Sequence, residues 1–152
     1  MRYLALDVGD RRIGLAVGDD AFGITRALPT LRRSRRLAAD IERIAAIARG
    51  EEVGALVIGL PLTLRGEEGQ QADRVRRFAS SLGPTGLRVE LYDERNTTVE
   101  ATRRGEADPD AGAARVLLED FLSARKAPAA DPPQGGVMKA PAADPPQDGV
   151  MT

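Results

Sequence analysis

The chain has 152 residues, 42% of them apolar and 30% charged, with a formal net charge of −1; that supports one hydrophobic core but not two catalytic domains. It contains neither Cys nor His, which excludes disulfides, thiolate zinc sites, cysteine nucleophiles, Ser-His-Asp triads and imidazole metal ligands. Hydrolytic chemistry, if present, has to come from carboxylates, hydroxyls, Arg, Lys, backbone amides and bound metal.

The first apolar run, Tyr3-Leu4-Ala5-Leu6, ends at Asp7-Val8-Gly9-Asp10, and Ile13-Gly14-Leu15-Ala16-Val17 follows at once. Two short runs this close predict a β-hairpin, with Gly9 supplying turn freedom. A third strand is expected between Ile24 and Leu31, at a sheet edge because Pro29 cannot donate to a ladder. The period then changes: Leu37, Ile41, Ile44 and Ala48 fall on one helical face, with Ser34 placed to cap the start and Gly50 to end it. Residues 53–59 form a continuous apolar run, the pattern of a strand covered on both faces. Helical spacing returns at Gln70 through Ala72, Val75, Ala79 and Leu82, and Gly83-Pro84 stops it. Leu87 to Tyr92 gives another strand. Thr97-Thr98-Val99-Glu100 resembles a capping box, and Asp108-Pro109 opens a last helix carrying Val116, Leu117 and Phe121.

The order βββαβαβαα predicts an α/β protein: a mixed five-stranded sheet that starts as an antiparallel hairpin, continues with parallel strands and carries helices on both faces. Ribonuclease-H-like folds share this plan. After Arg125 the composition shifts, and the Pro-rich segment from Lys126 to Met138 is copied from Lys139 to Met151, the copies differing only at Gly135 and Asp148. Such sequence buries too little to offset its ordering entropy, so residues 1–125 are expected to be the working domain and residues 126–152 a polyproline-like or disordered tail. No apolar run approaches the roughly 20 residues that span a bilayer, and no leader pattern is seen, so a soluble cytoplasmic protein without membrane contact is expected.

Asp7 closes an apolar strand in mid-sheet, where a carboxylate needs metal or donors to compensate its burial; the plain alternative is an Asp capping the hairpin turn. Gly9 and Gly14 relieve crowding there and also leave backbone open to a phosphate. Asp93-Glu94-Arg95-Asn96-Thr97-Thr98 stands where a parallel strand hands over to a helix, the end of a sheet at which ligand sites gather. Alternation lets only one of Asp93 and Glu94 share a face with Asp7, while Arg95 and the hydroxyls of Thr97 and Thr98 are candidates for phosphate oxygens. A helix entry with Thr97 as cap explains the same residues without substrate. Asp108 and Asp110 begin the last helix, as caps or as metal ligands. Hard oxygen donors without His or Cys select Mg²⁺ or Mn²⁺. The near-neutral charge argues against a dedicated nucleic-acid binder, yet Arg32, Arg33, Arg35 and Arg36 are bunched, as are Arg74, Arg76 and Arg77; wet helix faces are the ordinary alternative.

Four ordered blocks carry a resemblance over nearly all of residues 1–125: Leu6-Asp7-Val8-Gly9 with Arg12-Ile13-Gly14; Val57-Ile58-Gly59-Leu60-Pro61 with Gly66 and Gly69; Asp93-Glu94-Arg95 with Thr97-Thr98; and Asp110 with Ala113-Ala114. The chain resembles the YqgF or RuvX family, described as Holliday-junction resolvase homologues and as nucleases maturing the 5′ end of pre-16S ribosomal RNA. The resemblance implies a metal-dependent nuclease with two Mg²⁺ or Mn²⁺ ions. Asp7, one acid of the Asp93-Glu94 pair (Glu94 taken as the ligand) and Asp110 would be the metal-binding carboxylates, with Gly9, Arg12, Arg95, Thr97 and Thr98 toward substrate. RNA is favoured as substrate over DNA, and a homodimer would be required for junction cleavage. Asn96, Gly112 and the repeated tail depart from the family pattern, and Ala113 stands where the related RuvC resolvases would have a further acid. Two readings compete: an actin- or Hsp70-like ATPase, which would need a second such domain, and a nucleic-acid-binding module without catalysis.

Overall fold

The computed structural model describes residues 1–61, 65, 68–93 and 109–126, with residues 109–111 and 126 described by backbone alone. The elements are β1 (Arg2–Val8), β2 (Arg12–Asp19), β3 (Thr25–Arg32), α1 (Leu37–Gly50), β4 (Ala55–Leu60), α2 (Gln70–Ser80), a 3-10 turn at Gly83–Thr85, β5 (Arg88–Asp93) and α3 (Pro109–Lys126). The strands form one five-stranded sheet in the order β3-β2-β1-β4-β5. β2 runs antiparallel to β1 and β3, whereas β4 runs parallel to β1 and β5. Tight connections suffice for the antiparallel strands; α1 carries the chain from the edge strand β3 past β2 and β1 to β4, and α2 is the long crossover that the parallel neighbours β4 and β5 need. The mixed sheet with helices on both faces is as expected. The helix expected from Thr97 onward and the tail after Lys126 lie outside the described residues.

Central strands are covered twice, which is why they read as unbroken apolar runs: β4 is buried at all six of its positions. On one face Leu4, Leu6, Ile13, Leu15, Leu56 and Ile58 pack against Ile41 and Ile44 of α1 and Val75 and Phe78 of α2. Each such side chain contributes about 1.5–3 kcal/mol by leaving water. On the other face Tyr3, Ala5, Ala16, Ala55 and Val57 meet Ala114, Leu117, Leu118 and Phe121 of α3. Phe121 touches both Tyr3 and Tyr92 edge-on, with centroid distances of 5.1 and 5.7 Å, the arrangement that ring quadrupoles favour.

Pro29 does lie in an edge strand, and its place there is specific. Ile13 pairs with Leu31 and Leu15 with Leu28, so Pro29 and Thr30 together oppose the single residue Gly14. That bulge accommodates the missing proline N–H and turns Leu28 and Leu31, three positions apart, toward the same layer.

Two local expectations at the start of α1 are corrected. The residue preceding α1 is Arg36, which makes no side-chain cap; Ser34 instead bonds the Arg36 backbone through its hydroxyl. The carboxylate of Asp40, fully buried, accepts the Ser34 amide at 3.0 and 3.2 Å, so the helix reaches back to hold its own entry. Leu37 is 43% exposed rather than part of the core face, because the helix begins there and its first turn overhangs the sheet. At the other end α1 stops at Gly50, as expected, and the left-handed residue just beyond is Glu52, with φ 58°.

Candidate active site

Asp7 is the next-to-last residue of β1 and pairs across the antiparallel ladder with Gly14. Side chains alternate along a strand, so Asp7 shares the α3 face with Tyr3 and Ala5. It is one residue beyond the parallel pair Leu6 and Ile58, which brings it level with Gly59; Gly59 in turn pairs with Tyr92. The row across the sheet on this face is therefore Gly14, Asp7, Gly59, Tyr92. Asp7 is half-buried and has a glycine on each neighbouring strand, so no cross-strand side chain crowds its carboxylate.

Helix α3 packs along the same face. The Cδ2 of Leu118 lies 3.1 Å from where a Cβ on Gly18 would stand, and Gly18 pairs with Tyr3. Ala114 joins the layer containing Ala5 and Ala16, themselves a register pair. Four helical residues rise about 6 Å while two strand residues advance about 6.6 Å. One further turn thus carries residue 110 toward the level of Asp7 and Gly14. Arg125 at the far end lies over the Tyr3 ring, 5.6 Å from its centroid, so α3 runs from the carboxyl end of β1 back toward its start.

The remaining candidates distribute as follows. Arg12 opens β2 and by alternation shares the face of Gly14 and Asp7. Asp93 ends β5 opposite Leu60, but the pleat sets it with Val89, which packs on the α1/α2 layer, and against Tyr92, which packs on the α3 layer. Asp93 therefore reaches the right edge on the wrong face for Asp7. The next position, Glu94, lies outside the described residues, as do Arg95, Thr97, Thr98 and the side chain of Asp110. Among the described residues no three carboxylates are grouped to hold a metal ion. Gly9 is occupied by the turn: its N–H donates to Arg12 O at 2.9 Å and its carbonyl accepts from Arg33 at 2.8 Å. A Cβ there would approach Arg12 O to 3.0 Å, which accounts for glycine without a ligand.

Tyr92, the hydroxyl in the row, has its pKa raised, first by burial and then by the negative charges of Asp120 and Asp93. It stays protonated at neutral pH and is no base. Sequence reasoning missed a second cluster at this sheet edge, on the opposite face: a cavity of about 260 Å³ lined by Val8, Gly9, Asp10, Arg33, Leu37, Gln71, Arg74, Val75, Arg77 and Phe78. The bunching of Arg residues was its signal, but only the fold brings Arg33 beside Arg74 and Arg77.

Residues 1–124 match the family described as "RuvX: Holliday junction resolvase". A protein of Anaeromyxobacter sp. (strain Fw109-5) named "Putative pre-16S rRNA nuclease" is 44% identical over 138 residues, covering 84% of this chain and all of that protein (100%). One of the same name from Myxococcus xanthus (strain DK1622) is 39% identical over 142 residues, covering 86% of this chain and 93% of that one. Among solved structures, T. thermophilus RuvC in complex with a Holliday junction substrate superposes with a TM-score of 0.54 at 17% identity, covering 84% of this chain and 96% of that one. At that identity the likeness is one of fold.

Proposed function

The chain belongs to the RuvX family, and on that premise we propose that it is a metal-dependent nuclease that hydrolyses phosphodiester bonds, acting in 5′-end maturation of pre-16S ribosomal RNA. The observation that carries this reading is Asp7, half-buried at the carboxyl end of a central strand between two glycines. A carboxylate kept at the carboxyl end of a central strand, with glycines as its cross-strand neighbours, suits a cation or phosphodiester better than a turn cap.

The donor chemistry fits a hard divalent cation: the chain has no His or Cys, and its candidates at this edge are carboxylates. Asp7, Glu94 and Asp110 would hold two Mg²⁺ or Mn²⁺ ions, which when bound would supply an activated water and charge stabilisation at the leaving oxygen. Glu94 is chosen over Asp93 because the pleat turns Asp93 to the other face. Arg12, on the Asp7 face, would contact a phosphate oxygen; Gly14 and Gly59 leave room for the strand to approach; Tyr92 remains a neutral donor. Arg95, Thr97 and Thr98 complete the substrate side. The working unit is residues 1–125, in a cytoplasmic protein.

Cleavage of four-way DNA junctions is the reading named for the family, and it would need a dimer. Ala113, where a further acid would strengthen it, is fully buried and lends no ligand. The test is cleavage of matched single-stranded RNA, a pre-16S RNA fragment and a four-way DNA junction, with Mn²⁺, Mg²⁺ or chelator, by wild type and Asp7→Asn. Metal-dependent cutting of the pre-16S fragment, lost in Asp7→Asn, is expected. Equal cutting by both proteins would refute the assignment, metal-independent binding without cutting would favour the binding module, and ATP turnover would favour the ATPase.

A further inference from the structure

Behind the Asp7 row, on the α1/α2 face of the same sheet edge, the cavity between the β1–β2 turn, the start of α1 and helix α2 has an apolar floor of Val8, Leu37, Val75 and Phe78 and a rim of Arg33, Arg74 and Arg77. Arg33 is anchored: its guanidinium donates to Gly9 O at 2.8 Å and lies 5.1 Å over the Phe78 ring. Arg74 is 3.8 Å from Asp10, an exposed and loose pair of the kind worth little in water. Arg77 makes no hydrogen bond or ion pair among the described residues. Three guanidinium groups against one carboxylate leave the rim positive, in a protein whose net charge is −1.

A volume of about 260 Å³ is below the roughly 300–1,000 Å³ of ordinary small-molecule sites. It suits one phosphodiester with its sugar rather than a whole metabolite. Guanidinium groups are the side chains that match phosphate oxygens in geometry and keep their charge. The cavity is lined by Val8, Gly9 and Asp10, the residues that directly follow Asp7, so a strand lying across the end of β1 passes both places within a few nucleotides.

We propose that Arg33, Arg74 and Arg77 form a second phosphate-binding subsite, which seats the backbone of the nucleic-acid substrate on the face of the sheet opposite Asp7 and bends the strand over the end of β1. This rests on the nuclease reading for its substrate class, and the experiment separates the two. Binding of a fluorescent single-stranded RNA is measured by anisotropy over a salt series, using the full chain carrying Asp7→Asn so that no cutting intervenes. Arg74→Gln/Arg77→Gln is compared with Arg49→Gln, which removes exposed charge from the far end of α1; Arg33 is left intact because it also holds the turn. The double variant is expected to bind RNA at least about tenfold more weakly, as loss of charged hydrogen bonds implies, with the salt slope reduced by about 0.7 for each phosphate released. Arg49→Gln should bind within about twofold of the parent, since exposed charges contribute little singly.

In chains with Asp7 intact, the Arg74→Gln/Arg77→Gln change should raise KM for long RNA and leave cleavage of a dinucleotide unaltered. Unchanged RNA affinity and salt slope would overturn the subsite, whatever the cleavage assay gives. Inorganic phosphate that bound to the parent but not the double variant, while RNA bound both equally, would overturn it too and leave a free-anion site. So would loss of a dimer in the double variant at constant RNA affinity, which would make this face a contact between copies of the chain.

Discussion

The two faces of the sheet are built from different residues. The α1/α2 face is paved with Leu4, Leu6, Ile13, Leu15, Leu56 and Ile58, large branched side chains that keep the helices at full distance and supply most of the buried aliphatic area. Across the sheet many positions are small, Ala5, Ala16, Ala55, Gly14 and Gly59, alongside Tyr3 and Val57, and α3 meets them with Ala114 and the larger Leu117, Leu118 and Phe121. Near the start of β1 Tyr3 meets Phe121, which also touches Tyr92 from the level of Asp7, and the positions beside Asp7 on the neighbouring strands are glycines. Both faces are core, but only the α3 face carries a carboxylate of β1, with glycines level with it. The lesson is that a charged residue flanked by small cross-strand neighbours in a central strand stands out against an otherwise apolar pattern.

Leu6 and Asp7 are neighbours on β1 that point to opposite faces, so they test the contrast most sharply. Asp7→Asn should lower metal-dependent cleavage by at least about a hundredfold, the scale of losing one charge-stabilising group, while thermal unfolding moves little. Leu6→Ala, at a fully buried position, should cost about 2–5 kcal/mol in denaturant unfolding and leave turnover per folded molecule near wild type. If both substitutions shift stability and activity together, the division between faces does not hold.

Gly59→Ala places a methyl group beside Asp7 in the row. Misplacement of substrate by about 1 Å can cost on the order of a hundredfold in rate, so cleavage per folded molecule should fall toward that extent, beyond any loss of stability from overpacking this buried position. A fully active Gly59→Ala would show that the clearance is incidental.

Much of this was legible in the chain. Runs of period two and of helical period gave the strands and the three described helices because burial on one or both faces leaves that imprint directly. Pro29 announced an edge. The bulge at Pro29 and Thr30 did not show, because it is a mismatch of register between two strands and has no signature in either alone. Ser34 was read as a cap from its type, yet Asp40, six residues on, does the holding; a buried Asp inside a helix looks like an ordinary first-turn acid until its partner is seen. For the acids, alternation allowed only one of Asp93 and Glu94 to face Asp7, and the register of β5 sets Asp93 on the other side. The Arg33, Arg74 and Arg77 cavity was out of reach, since it joins residues about forty positions apart.

Asp40 links the two faces of the argument. Its carboxylate accepts the amide of Ser34, the residue after Arg33. Asp40→Ala removes a fully buried carboxylate and with it the acceptor of that part-buried amide, and the expected loss is about 1–3 kcal/mol. Because the β3–α1 connection carries Arg33, RNA affinity should weaken along with stability. Asp40→Asn keeps an acceptor oxygen and should restore most of both; if it were as damaging as Ala, the charge rather than the hydrogen bond would be what the fold uses.

The smallest effect is expected from removing residues 126–152. Their Pro-rich repeat offers little apolar surface to bury against either face, and a segment that adds no packing should change unfolding free energy by no more than about 0.5 kcal/mol, the range of surface changes. Cleavage of RNA by residues 1–125 should match the full chain. A stabilising role would show instead as a lower unfolding midpoint, and the place to look for it is Arg125, whose guanidinium lies over the Tyr3 and Phe121 rings and bonds Glu90. Truncation just beyond it frees the helix end to fray, and a loss confined to that last turn would appear as faster amide exchange at Phe121 and Leu122 with the rest of α3 unmoved.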